Sequence, residues 1–332
     1  MVDTCELLDA VNLAKNHYFK KIMNKHGKFI YEFHPSRPKK PSRYNMLRHA
    51  GTVYAMLETF ELTNDPAILT AAHQGLKFLI KKIEPFSVKG NESLVSGSIM
   101  TASNWGNGLS LIAFAKFCEV SGSREYVSLM QHLAEFIVQT QRDDGWFPVH
   151  KIIKSRRQVT DFVSGYYPGE AILGLARLYR IDPNEQWLHA AQKAADYIIH
   201  VRDRDKIIPD HWFMYALNDL YKIREKRAYL DHSLKMAKKS AAPKSTIILS
   251  GRNGRRVYRD CPAAAVHPAA CRSEGLCATC QLVRDHGNPS DRQALDTIKQ
   301  AIHAGIDFQL QTQVKGDITF SKNGWADSWK AL

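Results

Sequence analysis

Three stretches of the chain, each beginning at a glycine, repeat one pattern: "GTVYAMLETFELTNDPAILTAA" from Gly51, "GLSLIAFAKFCEVSGSREYVSLM" from Gly108 and "GEAILGLARLYRIDPNEQWLHAA" from Gly169. In each, an apolar stripe at helical spacing runs for about three turns. A short turn rich in Asp, Asn, Ser, Gly or Pro follows, and then a second amphipathic helix. Two looser copies start at His211 ("HWFMYALNDLYKIREKRAYLDHSLKMA") and Cys271 ("CRSEGLCATCQLVRDHGNPSDRQALDTI"). One such hairpin cannot bury its apolar face alone, so repeated hairpins must stack on one another. The first helix of each pair ("AILGLARLY") is more apolar than the second ("EQWLHAAQKAADYIIH"), which puts the first inside and the second outside.

With a further helix over 3–25, the pattern predicts about eleven helices. Inner and outer helices that alternate and close on themselves make an all-α fold, an (α/α)6-type toroid of helical hairpins, here a single domain over 1–332. Segments at 26–35, 143–152 and 316–325 combine glycine with aromatic and β-branched residues and read as short β-hairpins on the rim. The terminal "GWADSWKAL" reads as the beginning of a twelfth helix, so either the ring closes imperfectly or the chain stops short.

At 332 residues and 44% hydrophobic, the chain can bury a large core. No apolar run approaches the roughly 18–20 residues that span a bilayer. The N-terminal stretch lacks the basic region, apolar core and cleavage site of a secretory leader, so the reading is a cytoplasmic protein that engages no membrane. Its net charge of +13 gathers weakly at 36–43, 154–157 and 251–259, with no nucleic-acid module around these clusters. The charge therefore suits an anionic small molecule, such as a uronic acid or a phosphorylated sugar, better than a nucleic acid. Four of the six cysteines crowd together as Cys261, Cys271, Cys277 and Cys280. "CATC" has the spacing of zinc and redox sites, but its companions are too far apart and the segment reads as a helix, so packing is the expected role and no metal is assigned.

The repeat also gathers the residues that can do chemistry. Ahead of each inner helix lie Tyr44, Arg48 and His49; Asn104, Trp105 and Asn107; Asp161, Tyr166, Tyr167 and Glu170; Asp210, His211, Trp212 and Tyr215; and His267, Arg272 and Glu274. Inner helices of a toroid run the same way, so these five segments are expected at one end of a central cavity. The outer-helix starts carry ordinary capping residues instead. Aromatic faces stack on sugar rings while charged forks hold hydroxyls and carboxylates. Glu170, Asp210, His211, His49 and Glu274 are the acid/base candidates, histidine because its pKa lies near working pH. Arg48, Arg272, Trp105, Tyr166, Tyr167, Trp212, Tyr44 and Asp161 are the substrate-binding candidates. Glu170 also suits a helix dipole and Asp210 a helix N-cap, so each has a purely structural reading beside the functional one.

On "YNMLRHAG", "YYPGEAILGLARLY", "DHWFMYALNDLY" and "CRSEGL", the chain resembles the six-hairpin glycosidase-like superfamily over roughly residues 40–315. That group includes N-acylglucosamine 2-epimerases, unsaturated glucuronyl hydrolases and the C-terminal domain of D-glucuronyl C5-epimerases. The resemblance implies a sugar or uronic acid in the central pore. The paired pore histidines of the epimerases would fall on His49 and His211, and the pore aspartates of the hydrolases on Asp161 and Asp210. Lanthionine cyclases, a related toroid, need a Cys/Cys/His zinc site drawn from separate segments. Cys277, Cys280 and His286 lie within about two turns of one helix and do not match it. The expectation is a carbohydrate-active enzyme without a cofactor, hydrolysing a glycoside or epimerising a sugar. A non-catalytic toroid that binds a glycan or a protein is the alternative.

Overall fold

The computed structural model describes residues 3–31, 44–88, 91–96, 105–148, 152–153, 158–159, 162–241, 249–250, 256–257, 263–313, 318–320 and 326–329. These separate into two compact units: residues 1–7 with 202–313, and residues 8–201 with 314–332.

In the larger unit, three hairpins follow the repeat. They pair α2 (Met46–Thr63) with α3 (Pro66–Ile80), α4 (Trp105–Ser121) with α5 (Val127–Gln139), and α6 (Tyr167–Ile181) with α7 (Glu185–Tyr197). The first members pack side by side, α2 on α4 and α4 on α6, and each is backed by its own partner. Burial follows this order. Tyr167 through Leu178 of α6 are all buried, whereas α7 buries one face. Glycine permits the closest approach. A Cβ on Gly108 would lie 2.8 Å from the Glu170 carbonyl carbon, and one on Gly174 would lie 2.9 Å from the Leu111 Cβ. The starts of α4 and α6 are therefore level with each other.

In the smaller unit, α8 (His211–Ile223) pairs with α9 (Arg227–Ala241), and α10 (Ala263–His286) with α12 (Leu295–Thr312). The inner pair α8 and α10 is again in contact. Asn218 donates to the Ala278 carbonyl at 3.2 Å, and Ser233 and Thr279 share a 2.6 Å hydroxyl contact. The short α11 (Pro289–Arg292) starts at a capping box between Asn288 and Asp291, and Arg227 clamps Asp291 with two 2.6 Å hydrogen bonds.

The inner helices begin earlier than the glycines suggest. Asn45 caps α2 by accepting from the Leu47 amide at 2.8 Å, which brings Arg48 and His49 inside the helix. The helix expected from Cys271 begins at Ala263 and contains Pro268, so His267, Arg272 and Glu274 lie within it. The helix expected over 3–25 is α1 (Thr4–Leu13) followed by a π-helical turn over Ala14–Phe19. The expected terminal helix is instead a strand, β8 (Ala326–Trp329), paired antiparallel with β7 (Ile318–Phe320), so the 316–325 hairpin extends further than predicted. The pairing of β3 (Ile152–Ile153) with β4 (Gln158–Val159) accounts for the end of the 143–152 segment. At 26–35 the described residues hold one bridge, Met23 to Phe29. Two hairpins went unforeseen, β1 (Ile83–Val88) with β2 (Asn91–Ser96) and β5 (Leu249–Ser250) with β6 (Arg256–Val257). Among the described residues, no helix is long and apolar enough to cross a membrane.

Candidate active site

The first turn of α8 concentrates the chemistry of the smaller unit. Asp210 is its N-cap, with Oδ1 accepting from the Trp212 amide at 3.0 Å. The residue has no exposed surface, and among the described residues Oδ2 has no hydrogen-bond partner. Burial pushes its carboxyl up to about 7, against the opposing charge of Arg202. His211 follows, almost as deep, and burial together with the charge of His267 pulls its pKa down to about 4. Its Nε2 lies 3.9 Å from a Glu274 carboxylate oxygen, and that carboxylate is 49% exposed. The Trp212 ring lies beside the imidazole, with centroids 4.8 Å apart, and Tyr215 stands beyond it.

The segment leading into α8 is pinned from behind. Arg202 grips Asp203 through hydrogen bonds of 2.7 and 3.0 Å, and His232 of α9 meets the same carboxylate at 2.9 Å. Burial alone would raise the Asp203 pKa, but these two partners hold it below the usual carboxylate value. The Ile208 amide bonds Asp203 as well, and Lys239 donates to the Ile207 carbonyl at 2.6 Å. From α10, Gly275 lets the helix press against α8, since a Cβ there would lie 3.0 Å from the His211 Cα. Helical spacing places His267, Cys271 and Glu274 on one face of α10, and Cys271 and Glu274 meet His211. The ligand atoms of His211, Cys271 and Glu274 lie within 4.8 Å of one another. Burial and the charge of Glu274 push the Cys271 thiol up to about 12.

In the larger unit, the candidates have other surroundings. His49 Nε2 donates to the Gly75 carbonyl at 2.8 Å, so its Nδ1 accepts from the Tyr44 hydroxyl 2.7 Å away. That hydroxyl in turn accepts from the Phe29 amide. Both ring nitrogens are committed, and burial pulls the His49 pKa down to about 4. Arg48 is exposed, with its guanidinium 5.5 Å from the Tyr31 ring centre. Glu170 and Tyr167 are buried together in the first turn of α6. Burial, then the charge of Glu170, raises the Tyr167 pKa. The Ser164 hydroxyl accepts from the amides of Tyr166 and Tyr167, and the Tyr166 ring is exposed. Asn107 donates to the Leu94 and Leu133 carbonyls, a packing role. Asn104, Asp161 and Cys261 lie outside the described residues, as does the side chain of Trp105, whose backbone opens α4. Cys277 is exposed and Cys280 half-buried, so neither is the buried packing cysteine that the sequence suggests.

Sequence reasoning missed Cys271 as a neighbour of His211, although the 267/271/274 spacing signals a shared helix face. It also missed the Arg202–Asp203–His232 anchor and Arg177, a buried cation 5.2 Å from the Tyr54 ring centre. The Asp203–His232 and Arg177–Tyr54 contacts join segments far apart in the chain, and no local pattern announces them.

No family model and no curated protein sequence matches the chain. Solved structures do. Cellobiose 2-epimerase from Bacillus thermoamylovorans B4167 superposes with a TM-score of 0.67 at 11% identity, over 98% of this chain and 93% of that one. A D-mannose isomerase gives 0.63 at 14% identity, over 91% and 87%. The GH76A α-1,6-mannanase of Salegentibacter sp. HEL1_6 gives 0.62 at 14% identity, over 92% and 86%. Inactive variants of that mannanase, with two aspartates replaced, were solved with α-1,6-mannotriose and α-1,6-mannotetrose. At such identities the likeness is one of fold, and the fold of this chain is that of the (α/α)6 toroids.

Proposed function

We propose that this chain, an (α/α)6 toroid by fold, acts on a sugar or uronic-acid unit by transferring a proton at the first turn of α8. The observation that carries the reading is His211, held as a neutral imidazole by burial, with the Glu274 carboxylate 3.9 Å from its Nε2. A neutral imidazole accepts a proton from the carbon next to a sugar carbonyl, and an adjacent carboxylate stabilises the imidazolium that results. Once the imidazolium has exchanged with solvent, a proton delivered to the neighbouring carbon gives isomerisation. One delivered to the opposite face of the same carbon, by a second acid or after the intermediate turns that face to the imidazolium, gives epimerisation. The Trp212 ring offers a face for a pyranose.

Asp210 works from behind. With its pKa near 7 it is largely protonated below neutrality, so it adds no charge that would draw His211 upward. Hydrolysis needs two carboxylates reaching either side of the scissile bond. Asp210 has no exposed surface, which favours proton transfer over glycoside cleavage. Two of the structural neighbours are a sugar epimerase and a sugar isomerase, which supports the same choice. The net charge of +13 supports an anionic sugar as substrate. In the larger unit, we assign His49 and Glu170 to packing and to the α6 helix dipole.

The test is the kinetics of His211→Gln and Glu274→Gln on a panel of uronic acids and amino sugars. Loss of His211 should lower kcat by about 10²–10⁴, the usual contribution of general acid–base catalysis. Full turnover in folded His211→Gln would remove the proposal.

A further inference from the structure

We infer that His211, Cys271 and Glu274 form a binding site for a zinc-class divalent ion. Three side chains from two helices present nitrogen, sulfur and oxygen ligand atoms within 4.8 Å of one another. Ligands around a tetrahedral ion stand somewhat closer than this, since zinc bonds run about 2.0–2.3 Å. Small rotamer adjustments at the 49% exposed Glu274 carboxylate and at Cys271 would close the difference. The donor set is selective, because thiolate with imidazole and one carboxylate suits zinc and disfavours calcium or magnesium, which take oxygen alone. Charge balances too. Binding releases the Cys271 thiol proton to solvent, and thiolate plus carboxylate then neutralise a 2+ ion in a half-buried setting. His267 stands on the Cys271 side of the set, its ring nitrogens 3.7 and 3.8 Å from the sulfur.

The ion and the proposed proton transfer use the same His211 imidazole, so zinc competes with the reaction. The inference shares residues with the proposed function but does not depend on it, and its readout is spectroscopic. Cobalt(II) alone, added to the purified metal-free full chain, should give a thiolate-to-cobalt charge-transfer band in the near ultraviolet. Cys271→Ser should abolish the band, and His211→Gln should weaken zinc affinity by more than about a hundredfold, beyond the loss typical of an outer-shell partner. The double variant Cys277→Ser with Cys280→Ser should retain the band. Circular dichroism verifies that each variant is folded. If Cys271→Ser does not fold, the other two variants decide. Absence of a band at saturating cobalt, or a band that disappears with Cys277 and Cys280 instead, overturns the inference. Failure of the sugar reaction with an intact cobalt band would count against the proposed function alone.

Discussion

Hydrogen bonding, not burial, separates the two histidines that the sequence paired. His49 and His211 are both pulled down to about 4, yet His49 has both nitrogens committed to Gly75 and Tyr44 while His211 faces a carboxylate at 3.9 Å. His49→Gln removes two buried hydrogen bonds among the rings of Phe29 and Phe78. It should cost about 2–4 kcal/mol in urea unfolding and leave any kcat of the folded protein unchanged. Asp210 has the opposite titration. Its folded pKa lies above the ordinary 3.8, so it stabilises the fold at low pH, and that contribution fades as pH rises toward about 7. The two histidines contribute above 6.5, and their stabilisation is lost as pH falls toward about 4. Asp210→Asn should therefore gain stability relative to the wild type between pH 4 and 7, by at most about 1.4 kcal/mol per pH unit, and the difference should be level above 7. Unfolding midpoints across that range check the direction, and a constant difference would place the Asp210 pKa elsewhere.

At the scale of elements, the helices were legible and their starts were not. The repeated apolar stripes in "GLSLIAFAKF" and "AILGLARLY" set the inner helices, because only a helix buried all round tolerates that pattern. Helix starts depend on single capping residues. Asn45 caps α2 from outside the glycine-led repeat, and the Ser164 hydroxyl holds the amides of Tyr166 and Tyr167 at the start of α6, so each helix gains residues ahead of its glycine. Asp210 was legible as a cap because it directly precedes the periodic run. Its burial was not, since burial is set by packing between segments distant in the chain and leaves no mark on the local pattern. The glycines work between elements more than within them. In Gly275→Ala the new methyl would stand 2.8 Å from the Met214 sulfur and 3.0 Å from the His211 Cα. The helix-propensity gain of nearly 1 kcal/mol is outweighed by about 1–3 kcal/mol of overpacking. The variant should melt at lower temperature, and its displaced His211 should lower kcat. A more stable variant with full activity would show that α8 and α10 have slack at this contact.

At the scale of the molecule, stacked hairpins and the (α/α)6 fold follow from the repeat, while the chemistry follows from a few contacts that the repeat only brings near. Of the acid/base candidates, structure groups Asp210, His211 and Glu274 in the smaller unit and gives His49 a packing environment in the larger. The reaction class is the central claim, and proton NMR of uronic and amino sugars incubated with the protein in deuterated water tests it most directly. The account predicts solvent deuterium at a ring-derived carbon next to the carbonyl, together with an epimer or isomer, and neither with His211→Gln. Release of a new reducing end without deuterium uptake would contradict proton transfer in favour of hydrolysis, and binding of a glycan with no turnover would contradict an enzyme altogether.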